Sequence, residues 1–207
     1  MLFWFKLTPL SVGVVSSEKN AQLSTNNYQL SMFLFQNSES SDLTEIIKIY
    51  EAAARYQKDK GYNVWPIVSE VVVIKEIEEQ RHIKITKNNV IVGIFTMAFS
   101  DPIIWGERDN NTSLYLHRIA THPNFKGNNL MSYIVEWSKQ KAIENNKPFI
   151  RLDTWADNEN LINFYLKYEF KIVGDKFLPP SSLPKHYWNI TVTLFELSGF
   201  RAKVSGE

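Results

Sequence analysis

The residue types that could do chemistry crowd into one stretch, Tyr115–Val173. It reads YLHRIATHPNFKGNNLMSYIVEWSKQKA and, after a short gap, IRLDTWADNENLINFYLKYEFKIV. Lys126 and Gly127 sit in a short loop between a strand-like run and a helix-like run that starts near Asn128. A helix N-terminus offers unpaired backbone N–H groups and a partial positive charge. A loop of this build is an anion cradle, with pyrophosphate its usual guest, although a single glycine makes the pattern weak by itself. His117 has the intrinsic pKa for a general base acting through a water, or it is a hydrogen-bonded structural histidine. Asp153, on the next strand, is an alternative base. None of the four histidines, His82, His117, His122 and His186, shows metal-ligand spacing, so no metal is expected. Cysteine is absent, which excludes disulfides, thiolate nucleophiles and Cys-based metal sites. No G-x-S-x-G elbow occurs, which argues against a serine hydrolase.

These residues need elements to hold them. Leu114–Thr121 reads as a strand stopped by Pro123, and Leu130 to about Asn145 as a helix with Leu130, Met131, Ile134 and Ser138 inward. Phe149–Thr154 is a strand, Glu159–Tyr168 a helix, and Phe170–Val173 a strand. Tyr187–Leu197 alternates as a last long strand, after a loop marked by Pro179, Pro180 and Pro184. Upstream, MFLFQ from Met32 is a strand. Asp42 and Glu45 form a capping box for a helix with Leu43, Ile46, Ile47, Tyr50 and Ala54 on one face. In SEVVVIKEIEEQ the valine run favours strand, while Ile74, Ile77 and the flanking acids favour helix; a helix is expected. His82–Thr86 and Val90–Phe99 form a hairpin about Lys87-Asn88-Asn89, and Ser100–Thr112 is a loop. The order βαα-ββ-β-α-β-α-β-β is a mixed α/β fold.

The chain has 207 residues, enough for one domain with a proper core. Its 23 basic and 22 acidic side chains nearly cancel, so nothing draws it in bulk to nucleic acid or anionic lipid. No stretch approaches the roughly 20 apolar residues that span a bilayer. Residues 1–31 are an N-terminal arm or a misassigned start, because Ser16–Ser31 is polar without a usable period and Met32 opens a strand. Residues 32–207 form the single domain.

Taken together, His122-Pro123, Lys126-Gly127, Asn158, Tyr165 and Phe170 resemble the core signature of the GNAT superfamily, the acetyl-CoA-dependent N-acyltransferases. Asp42–Tyr50 resembles that family's first helix, and Val90–Met97 its "ivGif" strand, so the likeness covers about Met32–Val173. The chain departs from the pattern at Lys126 (Arg in the family), Asn129 (the second Gly), Met131 (a small residue) and Glu169 (Gly). Asparagine tolerates left-handed geometry, so Asn129 can replace glycine at modest strain. Met131 either crowds the diphosphate or packs under the helix.

The resemblance implies a mostly antiparallel central sheet flanked by helices, with one splayed parallel strand pair. Acetyl-CoA would lie in that opening as cosubstrate. Backbone groups of Ile119, Ala120 and Thr121 would hold the pantetheine, and amides from Lys126, Gly127, Asn128, Asn129, Leu130 and Met131 the pyrophosphate. Asn158 would contact the coenzyme or fix the strand-to-helix turn. Tyr165 would share its proton with the departing thiolate, and His117, on one strand face with Tyr115 and Ile119, would serve as base. The implied activity is acetyl transfer to a primary amine of a small molecule or peptide by direct attack, in the cytoplasm; homodimer formation is left open. The alternative is a catalytically impaired CoA-binding or interaction module. Tyr62, Trp65, Trp105 and Trp155 are the expected aromatic walls of an acceptor pocket.

Overall fold

The computed structural model describes residues 33–66, 68–180 and 187–200. The expectations for residues 1–31, for Met32 and for Pro184 and His186 lie outside the described residues. The elements are β1 (Leu34–Asn37), α1 (Leu43–Asp59), α2 (Glu70–Glu78), β2 (His82–Lys87), β3 (Val90–Ala98), α3 (Pro102–Trp105), β4 (Ser113–Thr121), α4 (Leu130–Glu144), β5 (Phe149–Trp155), α5 (Glu159–Leu166), β6 (Lys171–Leu178) and β7 (Ile190–Leu197). The strands form one sheet in the order β1-β2-β3-β4-β5-β7-β6. Every neighbouring pair is antiparallel except β4 and β5, so the expected mixed, mainly antiparallel α/β architecture holds.

Local chemistry explains most boundaries. Helix wins in the valine-rich α2 because the Ser69 side chain caps it, accepting from the Val72 amide. Val73 and Glu76, three apart, then turn inward and leave Val71 in solvent. The capping box lies one turn earlier than expected. The Asp42 carboxylate accepts from the Glu39 amide at 2.7 Å and also pairs with Lys84 at 2.7 Å. The buried stripe of α1 is Ile46, Ile49 and Tyr50, with Leu43, Ile47 and Ala54 only half-buried. Ser100–Thr112 is not all loop: Asp101 with Pro102 behind it starts α3, and the Ile104 amide points at Asp101 Oδ1. Helix α5 ends at Leu166, two residues early, where the chain turns through Glu169 at φ 68°. Strand β6 runs on to Leu178, and β7 starts at Ile190 rather than Tyr187.

Two apolar layers clamp the sheet. On one face Phe95, Leu114 and Leu116 pack with Leu130, Met131 and Ile134 of α4. On the other, Ile94 and Ala120 meet Ile46 and Tyr50 of α1, and Tyr115 meets Trp105 of α3. Gly93 lets Leu130 of α4 close on β3, since a Cβ there would run into Leu130 Cδ2. Met131 is 5% exposed and packs in the core layer under the helix.

His82 is fully buried between Ser38 Oγ (2.8 Å from Nδ1) and the Tyr50 hydroxyl (3.2 Å from Nε2). Burial, with Arg118 nearby, lowers its pKa from 6.5 to about 4. The unfolded chain therefore binds this proton more readily between pH 6.5 and 4. The neutral ring contributes stability that is complete above pH 6.5 and lost as the pH falls through this window. Wild type should lose about 2 kcal/mol more than His82→Gln between pH 7 and pH 5, at 1.36 kcal/mol per pH unit. Urea melts at the two pH values check this, and parallel losses in the two proteins would refute it.

Candidate active site

Strands β4 and β5 pair through three residues only, Ser113 with Phe149, Leu114 with Ile150 and Tyr115 with Arg151. Beyond that both strands continue, β4 to Thr121 and β5 to Trp155, so they splay into a V. A bulge shapes the β4 arm. Thr96 pairs with His117 and Ile94 with Ala120, so Arg118 and Ile119 together face one residue of β3. Arg118 takes up the irregularity at φ 49°. The extra residue reverses the alternation, which corrects the expectation that Ile119 shares a face with Tyr115 and His117. Ile119 packs with Leu114 and Leu116, and Ala120 joins the opposite layer.

On the α4 side lies a cleft of about 430 Å³. Its wall holds Ile119, Thr121 and the whole run Lys126, Gly127, Asn128, Asn129, Leu130 and Met131. Asn129 sits at the helix N-cap in the left-handed region (φ 52°, ψ 34°), a geometry that asparagine tolerates in place of glycine. No side chain caps α4; the Ser132 amide donates to the Asn129 carbonyl at 3.1 Å, and the other two first-turn residues, Leu130 and Met131, line the cleft. Gly127 has φ 84°, with open space where a Cβ would stand. These features fit a diphosphate. Ala120 and Asn158 do not line the cleft. The Asn158 side chain accepts from the Leu161 amide at 3.0 Å and caps α5, the second of its two expected roles.

On the other side is a smaller cavity of about 60 Å³. Trp65, His117, Arg118, Asp153, Trp155 and Tyr187 are among its walls. Ile119, Leu161 and Tyr165 line both spaces, so Tyr165 stands at their seam. Its ring is held by Phe164, Phe170 and Phe195 at 5.6, 6.1 and 5.6 Å between centroids. The hydroxyl makes no hydrogen bond among the described residues. Burial, reinforced by Asp153, pushes the phenol well above its usual range, so it stays protonated.

Trp65 and Trp155 line the cavity as expected; Trp105 and Tyr62 do not. Trp105 is 3% exposed, packs on Tyr115 and carries the Arg151 guanidinium over its ring. The Tyr62 hydroxyl instead accepts from Asn160 of α5 at 3.0 Å.

One polar cluster was not foreseen as a unit. Ligand-type atoms of Asp101, His117 and Asp153 lie within 4.8 Å of one another, with His117 Nε2 3.8 Å from Asp101 Oδ2. Their positions in sequence, 101, 117 and 153, show no motif; only the fold brings α3, β4 and β5 together. His117 does not keep its ordinary basicity: burial, with Arg118 and Arg81 nearby, lowers its pKa to about 4. Burial, with Asp101 close by, raises Asp153 to about 7, and burial raises Asp101 to about 6. Near neutral pH the carboxylate of Asp153 is thus the stronger proton acceptor of the three. Arg118 is neutralised by a short ion pair to Glu76 of α2 and lies 6.0 Å over the Tyr50 ring. No local sequence pattern marks that pair, since Glu76 becomes buried only in the fold.

Residues 44–170 match the model of the acetyltransferase (GNAT) family, and the chain belongs to that family. It is therefore an acyltransferase by class. It is 26% identical over 141 residues to the uncharacterized N-acetyltransferase YesJ of Bacillus subtilis (strain 168), covering 64% of this chain and 78% of that one. Among solved structures, a GNAT-family acetyltransferase from Listeria monocytogenes superposes with a TM-score of 0.64 at 22% identity, over 80% of this chain and 95% of that one. The yncA protein of Salmonella typhimurium, whose structure holds its cofactor acetyl-CoA, superposes with a TM-score of 0.59 at 12% identity, over 85% and 98%.

Proposed function

We propose that this protein transfers the acetyl group of acetyl-CoA to a primary amine of a small molecule or peptide by direct attack. The observation that carries this reading is the seam at Tyr165, where a diphosphate-sized cleft and an aromatic, carboxylate-bearing cavity meet across the splayed β4 and β5. The thioester enters from the α4 side, with backbone amides of Lys126 to Met131 on the diphosphate. The amine enters between Trp65 and Trp155.

An alkyl ammonium with a pKa near ~10.4 costs roughly 4–5 kcal/mol to deprotonate at pH 7. Asp153 takes that proton, with ligand-type atoms of His117 and Asp101 within 4.8 Å of its own. The freed lone pair attacks the thioester carbonyl carbon, and the C–N bond forms as the carbonyl oxygen takes up charge. As the C–S bond breaks, the proton still carried by the attacking nitrogen passes to solvent, leaving a neutral amide and a CoA thiolate. The departing thiolate, whose conjugate thiol has a pKa near ~8.5, accepts a hydrogen bond from Tyr165. Because the phenol is harder to ionise than that thiol, it stabilises the sulfur as a donor and keeps its own proton.

Coenzyme at about 100 times its Kd should stabilise the fold by ~2.7 kcal/mol, or roughly 5–10 °C in Tm for a chain of this size. A panel of amines should then release free CoA thiol from acetyl-CoA. A thermal shift without thiol release would point to the coenzyme-binding module instead. Neither effect at millimolar acetyl-CoA would end both readings.

A further inference from the structure

Asn129 stands where the family pattern has its second glycine, and its backbone keeps the left-handed turn. A glycine would offer the cleft a backbone amide alone; asparagine adds a carboxamide. The Tyr168 hydroxyl donates to Asn129 Oδ1 at 2.8 Å. Tyr168 lies just beyond α5, and its ring is braced edge-on by Phe164 with centroids 5.0 Å apart. Asn129, Phe164 and Tyr168 all line the α4-side cleft. With Oδ1 engaged by Tyr168, the planar amide leaves its Nδ2–H groups as the end free to meet an anion. The reverse orientation would turn a carbonyl oxygen toward the diphosphate and repel it.

We infer that the Asn129 side chain is an added donor to the coenzyme's diphosphate, and that Tyr168 is the positioning residue that fixes which end of the amide faces it. This rests on the acetyl-CoA reading above. The pair replaces a glycine with a side-chain contact that the glycine could not make. Lys126 does a different job nearby, its Nζ lying 3.7 Å from the Tyr56 ring centroid.

The test is a double-mutant cycle of Asn129→Gly and Tyr168→Phe, read by calorimetry with CoA and by the KM for acetyl-CoA. Each single change should weaken CoA about three- to tenfold, the loss falling on KM rather than kcat, as expected for one hydrogen bond to a charged group in a partly hydrated site. The double variant should be no worse than Asn129→Gly, because Tyr168 acts through Asn129. With S-acetylpantetheine, which lacks the diphosphate, all four proteins should share one KM. Additive losses, an Asn129→Gly protein that binds CoA as tightly as wild type, or equal losses with S-acetylpantetheine would each overturn the inference. A wild type that binds no CoA would overturn the coenzyme reading and this inference with it; a wild type that binds while the variants match it overturns the inference alone.

Discussion

Replacing Tyr165 with phenylalanine should lower kcat by about 10²–10³-fold and leave the fold and coenzyme affinity almost unchanged. The ring makes its contacts with Phe164, Phe170 and Phe195 through carbon atoms that phenylalanine keeps. The hydroxyl makes no hydrogen bond among the described residues, so its loss leaves no partner stranded in the core. In the proposed reaction its task begins when the C–S bond breaks, a contact made in the transition state rather than in the ground state. The cost therefore belongs in kcat, with KM for acetyl-CoA and Tm near their wild-type values. Burial keeps the phenol protonated across the working range, so the alkaline side of the pH–rate profile should carry no tyrosine limb in wild type or variant. Steady-state kinetics with calorimetry of CoA binding check this. A Phe variant with full kcat would reduce Tyr165 to a core aromatic; one that lost Tm and activity together would make the hydroxyl structural.

Asp153→Asn should give opposite signs for activity and stability. The carboxyl has its pKa raised from 3.8 to about 7 by burial and by Asp101. The folded protein therefore holds this proton more tightly than the unfolded chain between pH 3.8 and 7, and stability falls as the pH rises through that window. At pH 8 the ionised, buried carboxylate is a cost to the fold. Removing its charge should stabilise the protein by roughly 4 kcal/mol at pH 8, at 1.36 kcal/mol per pH unit, and by almost nothing at pH 4. Activity should move the other way. Wild-type kcat/KM should rise with pH to a bend near 7, where Asp153 becomes a base. The Asn variant should lose that bend and about 10²–10⁴-fold in rate at pH 7. The deficit should narrow as the pH climbs toward the amine's own pKa, since solvent then supplies the free base. Urea melts at pH 8 and 4, with pH–rate profiles of both proteins, measure the two halves. A variant that keeps the bend would move the base to another group, and one destabilised at pH 8 would show that the carboxylate supports the fold.

The sequence by itself determined what local rules and a resemblance can carry. The strand–loop–helix from Leu114 into α4 and the inward row Leu130, Met131, Ile134 and Ser138 follow from periodicity, and asparagine's tolerance of left-handed geometry made Asn129 an acceptable stand-in for glycine. The order of elements was legible for the same reason, and the mostly antiparallel sheet was what the resemblance implied. Only the tertiary structure decided the rest. The bulge at Arg118 and Ile119 breaks the period of two, so no alternation argument could tell that Ile119 faces away from His117. Trp105 is a core ring and Trp155 a cavity wall, a difference set by which neighbours cover each indole and not by residue type. His117 carries its usual pKa in sequence and about 4 in the fold, while Asp153 rises to about 7. Intrinsic pKa is a property of a side chain in water; desolvation and the charges of Arg118 and Asp101 exist only once α3, β4 and β5 have met.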